Sequence, residues 1–173
     1  SMTKIQHAKA DIVVGADGIR SSVRQLLIGE ATTPLRYLDC IVILGICPLA
    51  DIQAPSAGQP ENALHDSLLD SATVFQTANG HERIYIMPFD SNSIMWQLSF
   101  PMPEQEAKAL SAQGAGALKH EALRRCQWHY PIPEILAATP ETHISGYPVY
   151  DRAPLVPEYL AKAGPVTLLG DAA

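Results

Sequence analysis

Two short apolar runs stand near opposite ends of this chain, and each stops at a glycine turn that carries an aspartate. Residues 11–14 read as a buried strand leading into Gly15-Ala16-Asp17-Gly18-Ile19-Arg20-Ser21-Ser22-Val23-Arg24. Residues 166–169 read as a second strand, leading into Gly170-Asp171-Ala172-Ala173. Such exits constrain the fold because glycine lets the backbone turn sharply and approach a ligand closely. In the first, Gly15 and Gly18 permit the turn and Ser21 or Ser22 caps a helix over residues 20–27. The N–H groups at that helix start are expected to be open to a phosphate. In the second, an ionised Asp171 accepts hydrogen bonds only, which suits a hydroxyl-rich ligand.

Between these ends the pattern is that of an antiparallel sheet with helices. Residues 36–49 read as one long strand bounded by Pro34 and Pro48, followed by a Pro/Gly/Ala surface loop over residues 54–60. Three strands follow, over residues 72–77, 83–89 and 93–100, joined by Ala78-Asn79-Gly80-His81 and Asp90-Ser91-Asn92, whose residues tolerate positive φ. Helices are expected over residues 103–112, with acids in the first turn, over 117–128, and from Pro131 onward; residues 142–150 read as a returning strand. Alternation sets Tyr85, Met87 and Phe89 against Ile84 and Ile86, and Trp96, Leu98 and Phe100 against Met95, Gln97 and Ser99. One face is expected to pack under helices and the other to be available to a flat aromatic ligand. Tyr85, Met87, Trp96 and Gln97 are candidate substrate-binding residues, and filling the core is the other reading of the same side chains.

The other constellations are weaker. His120, Cys126 and His129 are not spaced to share one helix face, so no metal site is expected. His65-Asp66-Ser67 has the residue types of a hydrolase triad, but adjacent side chains point apart and no Gly-x-Ser-x-Gly elbow occurs. Gly114-Ala115-Gly116 lacks both a preceding strand and a third glycine, and reads as a loop between helices. Arg124-Arg125 reads as a solvated helix face. Three irregularly spaced cysteines point to small buried residues in a reducing compartment rather than a disulfide framework. With 173 residues, 47% of them hydrophobic, the chain is long enough for a real core. A net charge of −6 with scattered basic residues argues against a nucleic-acid partner, and the longest apolar run, residues 40–49, is too short to span a bilayer.

The two end segments, in this order and a domain apart, resemble the DG and GD motifs of the FAD-dependent aromatic hydroxylases, the para-hydroxybenzoate hydroxylase-like flavoprotein monooxygenases. Gly15-Ala16-Asp17-Gly18 with Ser21, Val23 and Arg24 follows the family's Gly-Ala-Asp-Gly-x-x-Ser-x-Val-Arg pattern. Asp151-Arg152-Ala153-Pro154 ahead of Leu168-Leu169-Gly170-Asp171-Ala172-Ala173 follows its run into the second motif. The resemblance implies FAD as cofactor and NAD(P)H as co-substrate. It places Asp17 and Gly18 by the FAD pyrophosphate, Arg24, Arg152 and Gly170 in the same cofactor-binding set, and Asp171 on a ribityl hydroxyl. It implies hydroxylation of a small aromatic substrate and names no catalytic acid, base or nucleophile; the cysteine usage makes the cytoplasm the expected compartment. A halogenase or reductase of the same superfamily, or a non-catalytic ligand-binding module, is the alternative.

Two departures from the family pattern shape the expectation. No Gly-x-Gly-x-x-Gly turn precedes residue 11, and Ile43 and Leu44 stand where relatives place an aromatic residue and an arginine before the glycine matched by Gly45. The chain is therefore expected to be an internal piece of a larger enzyme, with Ser1-Met2 a vector remnant. Its expected class is α+β: a mostly antiparallel sheet with helices on one side, flanked by short strands of an incomplete α/β FAD-binding domain. The expected organisation is a tag remnant and lead-in at 1–10, an FAD-domain segment with the DG motif at 11–30, a substrate-binding middle domain at 31–150, and an FAD-domain segment ending at the GD motif at 151–173.

Overall fold

A computed structural model describes residues 7–52, 68, 70, 72–160 and 163–173; the expected loop at 54–60, His65-Asp66-Ser67 and Ser1-Met2 lie outside them. In chain order the elements are β1 (Val13–Gly15), α1 (Ser22–Ile28), β2 (Arg36–Pro48), β3 (Phe75–Ala78), β4 (Arg83–Asp90), β5 (Ser93–Pro101), α2 (Glu104–Ala112), α3 (Ala115–Arg125), α4 (Ile132–Ala138), β6 (Ile144–Asp151), α5 (Pro157–Leu160) and β7 (Val166–Leu168). The chain divides into two compact units, Ser1–Arg36 with Tyr150–Ala173, and Tyr37–Val149.

The larger unit is built on a five-stranded sheet in the order β3-β4-β5-β2-β6. β2, β5, β4 and β3 are joined by antiparallel ladders, and the β4–β5 register pairs Ile84 with Leu98, Tyr85 with Gln97 and Ile86 with Trp96. Directly opposed residues share a face, so the alternation in sequence becomes two different surfaces. Ile84, Ile86, Trp96, Leu98 and Phe100 are buried with Ile41 and Ile43 against Ala107 of α2, Leu118 and Ala122 of α3, and Ile135 and Leu136 of α4. Tyr85, Met87, Met95, Gln97 and Ser99 are half-buried on the other side.

The buried face sets a local requirement at Gly45, which lies opposite Trp96 in the β2–β5 ladder. A Cβ at this position would sit 2.4 Å from Trp96 Cε2, so the indole can lie flat across the strand only over a glycine. Trp96 Nε1 donates to Thr139 Oγ1 at 2.8 Å, and that hydroxyl donates to the Ile135 carbonyl at 2.7 Å, which satisfies both buried polar side chains.

The helix expected over residues 117–128 ends at Arg125, and Cys126 leaves helical geometry at φ −100 and ψ 47. Arg125 is not a solvated residue as the sequence pattern suggested. Its guanidinium lies 3.8 Å from the Phe100 ring centroid and donates to Glu82 at 2.8 Å and Glu121 at 2.7 Å. Planar charge stacks on an aromatic face while its edge stays bonded, which explains how the arginine is accommodated at the sheet. Arg124 does remain exposed, bonded to Glu121.

The hydrogen bond from Arg124, supported by Arg125, holds Glu121 down to about 2 against the opposing effect of burial. A depressed carboxylate stabilises the fold above its unfolded value and loses that contribution as pH falls through its folded value. The expected result is a component of acid destabilisation between pH 4.5 and about 2 that disappears in Glu121→Gln, measured by denaturant midpoints over that range. Identical acid profiles for the two proteins would remove Glu121 from the account.

In the smaller unit β1 and β7 form a parallel pair. Residues 11–14 were expected to be buried, yet Val13 and Val14 are 43% and 53% exposed and only Gly15 of β1 is buried. A two-stranded parallel pair covers neither of its own faces, and parallel strands are ordinarily buried by layers on both sides.

Candidate cofactor site

The two aspartate turns from opposite ends of the chain become neighbours through the β1–β7 ladder. Val13 aligns with Val166 and Gly15 with Leu168, and the Leu169 N–H donates to the Gly15 carbonyl at 2.9 Å. Because the strands are parallel, both turns leave from their C-terminal ends, the edge at which open α/β sheets bind ligands. Gly18 has φ +80 and Gly170 φ +61, and no atom lies within 4 Å of where a Cβ would stand at either. These turns require glycine for their backbone and leave open space beside it.

The helix start behaves differently from expectation. The Asp17 carboxylate accepts from the Ser21 hydroxyl, from Ser22 N–H at 2.8 Å and from Val23 N–H at 3.3 Å. Ser21 Oγ accepts from Arg24 N–H at 2.9 Å, and the Ser21 carbonyl accepts from Gln25 N–H. The first amides of α1 are thus taken by Asp17 and Ser21 and are not open to a phosphate, because a carboxylate one turn upstream reaches them first. The Ser21 hydrogen bond lowers the pKa of Asp17, with the backbone amides acting in the same direction.

Arg24 and Arg152 lie behind the turns. Arg24 is 2% exposed, and its Nε and Nη2 donate to Thr33 Oγ1 at 2.9 and 2.7 Å. Its Nη1 donates to the carbonyls of Ala172 and Ala173, and Nη2 also reaches the Ala153 carbonyl at 3.4 Å. One guanidinium therefore ties the helix after the first aspartate turn to the segment after the second. Arg152 donates to the Ile19 carbonyl at 2.7 Å, to the Thr33 carbonyl, and to Glu30 at 2.9 and 3.1 Å. Its sequence neighbour Asp151 pairs instead with Arg36, at 2.9 and 2.7 Å. Thr33 and Glu30 carry no signal in the sequence, since they lie between α1 and β2 and their roles arise only from the arginines that reach them. Asp171 is exposed and has no hydrogen-bond partner among the described residues.

In the larger unit, Tyr85, Met87 and Gln97 share the face not covered by helices, whereas Trp96 lies on the opposite, buried face and belongs to the core. The structure thus brings three of the four candidate residues together. An open depression of about 690 Å³ on this face is lined by Cys40, Val42, Arg83, Gln97 and Ser99 among others; of the three candidates only Gln97 lines it, and Tyr85 and Met87 lie outside its lining. The Arg83 guanidinium lies 5.7 Å from the Tyr85 ring centroid. Arg83 was missed as a site candidate, although its i, i+2 spacing from Tyr85 put it on the same face. Burial raises the thiols of Cys40 and Cys47 and pushes Cys126 up to about 12, which disfavours the thiolate at all three. Among the described residues no group of His, Cys, Asp and Glu could hold a metal ion, and no helix is long and apolar enough to cross a membrane.

No protein-family model matches this sequence. It is 28% identical over 166 residues to the aurachin C monooxygenase/isomerase of Stigmatella aurantiaca, covering 95% of this chain and 36% of that protein. The fold matches HpxO of Klebsiella pneumoniae, solved with FAD and uric acid, at TM-score 0.69 and 22% identity over 95% of this chain and 36% of HpxO. It also matches PqsL of Pseudomonas aeruginosa, solved with 2-aminobenzoylacetate, at TM-score 0.59 and 25% identity over 94% of this chain and 38% of PqsL. The chain resembles a segment of the FAD-dependent aromatic monooxygenases. It spans about a third of the length of the relatives it matches.

The first unit fits part of a flavin cofactor. Two open glycine turns and an exposed, acceptor-only Asp171 suit a hydroxyl-bearing chain, while the occupied amides of α1 offer nothing to a phosphate. Asp171, Gly170 and Gly18 stay open at the two turns, whereas Arg24 and Arg152 are bonded to protein acceptors.

Proposed function

We propose that this chain forms part of an FAD-dependent monooxygenase that hydroxylates a small aromatic substrate at the expense of NAD(P)H and oxygen. The observation that carries the reading is the placement of both aspartate turns at the C-terminal ends of two adjacent parallel strands, in a chain similar to flavoprotein monooxygenases. When bound, FAD supplies the oxygen chemistry, with one oxygen atom entering the substrate and the other leaving as water. The chain's residues bind and orient. Asp171 accepts from a ribityl hydroxyl, Gly170 and Gly18 allow close backbone approach, Asp17 holds the first turn against α1, and Arg24 and Arg152 position both turns from behind. Tyr85, Met87 and Gln97 offer a mostly apolar wall to a planar substrate, with Arg83 and Ser99 as its polar neighbours. The three free cysteines are in keeping with the cytoplasm as the working compartment.

In the full-length protein, Asp171→Ala is expected to weaken FAD binding about 10- to 100-fold, the loss of one charge-assisted hydrogen bond. Fluorescence titration of apoprotein with FAD measures it. Unchanged affinity in a folded variant would overturn the assignment of Asp171 and, with it, the flavin reading of the second turn.

A further inference from the structure

On the helix-covered side of the sheet, a cavity of about 430 Å³ opens between β3, β4 and the stretch from His129 to Ile132. Phe75 is opposed to Ile86 and Thr77 to Ile84 in the β3–β4 ladder, so all four face it from the sheet, and Pro131 and Ile132 close it from above. Tyr85 and Met87 alternate with those isoleucines, which puts the sheet itself between this cavity and the open face that carries them. The polar groups at the cavity are those of Gln76, Thr77, His129 and Tyr130, whose buried hydroxyl has no hydrogen-bond partner among the described residues. His129 Nδ1 lies 2.9 Å from the Tyr130 carbonyl oxygen, which can only accept, so Nδ1 carries the proton. In the neutral ring Nε2 is then an acceptor, and the Thr77 hydroxyl, 3.2 Å away, donates to it. That leaves Thr77 Oγ1 with lone pairs for a ligand donor. No Lys, Arg, Asp or Glu lines the cavity among the described residues, so a charged guest would lose water without gaining a counter-charge.

We propose that this cavity is a second small-molecule site, on the opposite side of the sheet from the Tyr85 face, for a neutral planar aromatic molecule that places one N–H or O–H donor on Thr77. Its volume falls at the small end of the range for ligand sites, which suits one or two fused rings.

Indole is the probe, titrated into the ¹⁵N-labelled 173-residue chain, with N-methylindole as the partner lacking the donor. The expected result is saturable binding with a dissociation constant on the order of 0.1–1 mM, with amide shifts centred on Thr77, Ile84, Ile86 and Ile132. Indole should bind about three- to tenfold more tightly than N-methylindole. Thr77→Val should erase that difference, and Tyr85→Ala on the opposite face should leave indole binding unchanged. Binding that never saturates, equal affinities for the two probes in the unaltered chain, or shifts centred on Tyr85 and Gln97 and lost in Tyr85→Ala would each overturn the proposal. None of these outcomes bears on Asp171, so the flavin reading stands or falls by its own titration.

Discussion

Gly45→Ala is expected to be the most damaging glycine-to-alanine change among the described residues, costing about 3 kcal/mol or more of stability. The added Cβ would meet the Trp96 indole at 2.4–2.6 Å along its Cε2, Cζ2 and Nε1 edge. Trp96 has no accessible surface to move into and is anchored by Thr139, so relief comes only by separating β2 from β5 or by breaking the indole–Thr139–Ile135 chain of hydrogen bonds. Urea denaturation followed by tryptophan fluorescence measures the loss. The same substitution in a Trp96→Phe background should cost much less, because the clashing ring edge is gone; this coupling separates a steric clash from a general intolerance of β2. Equal stability of Gly45→Ala and the parent chain would show that the indole does not lie across the strand.

The second large effect is expected at Arg24. Arg24→Met keeps much of the aliphatic stem but strips the donors from Thr33 and from the carbonyls of Ala153, Ala172 and Ala173, for a loss of about 2–4 kcal/mol in the smaller unit. Hydrogen exchange reports on it at two amides that join the aspartate turns' strands: Val13, bonded to the Pro165 carbonyl, and Leu169, bonded to Gly15. Both should lose about 30- to 1000-fold in protection. Arg24→Lys should not restore it, since a single ammonium cannot serve acceptors on several sides as a planar guanidinium does. Intact protection together with weakened flavin binding would instead make Arg24 a ligand contact.

Much of the sheet was legible because alternation over β4 and β5 is a local property: Ile84, Ile86, Leu98 and Phe100 separate from Tyr85, Met87, Gln97 and Ser99 by period two alone. Which set lies under the helices is not local. Grouping Trp96 with Gln97 as pocket candidates set aside the local rule, since neighbours on a strand point to opposite faces; which of the two is buried was decided by Gly45, Thr139 and the helix layer. The misreading of Arg125 has the same origin. Its helix position says nothing of Phe100 and Glu82, which reach it from the sheet and from the turn before β4.

The sequence by itself determined that two glycine–aspartate turns follow short apolar strands, because turn residues and strand exits depend on φ preferences and neighbouring side chains only. It also determined the resemblance to flavoprotein monooxygenases, which rests on those residues in that order. Tertiary structure alone decided that β1 and β7 pair in parallel and bring the turns to one edge, that Asp17 spends itself on the amides of α1, and that Arg24 and Arg152 serve backbone carbonyls and Thr33. Apart from Asp17 on α1 and Arg24 on Thr33, these are contacts between residues far apart in the chain. A buried guanidinium is assigned by the acceptors that surround it, and no local pattern names acceptors contributed from the other end of the sequence.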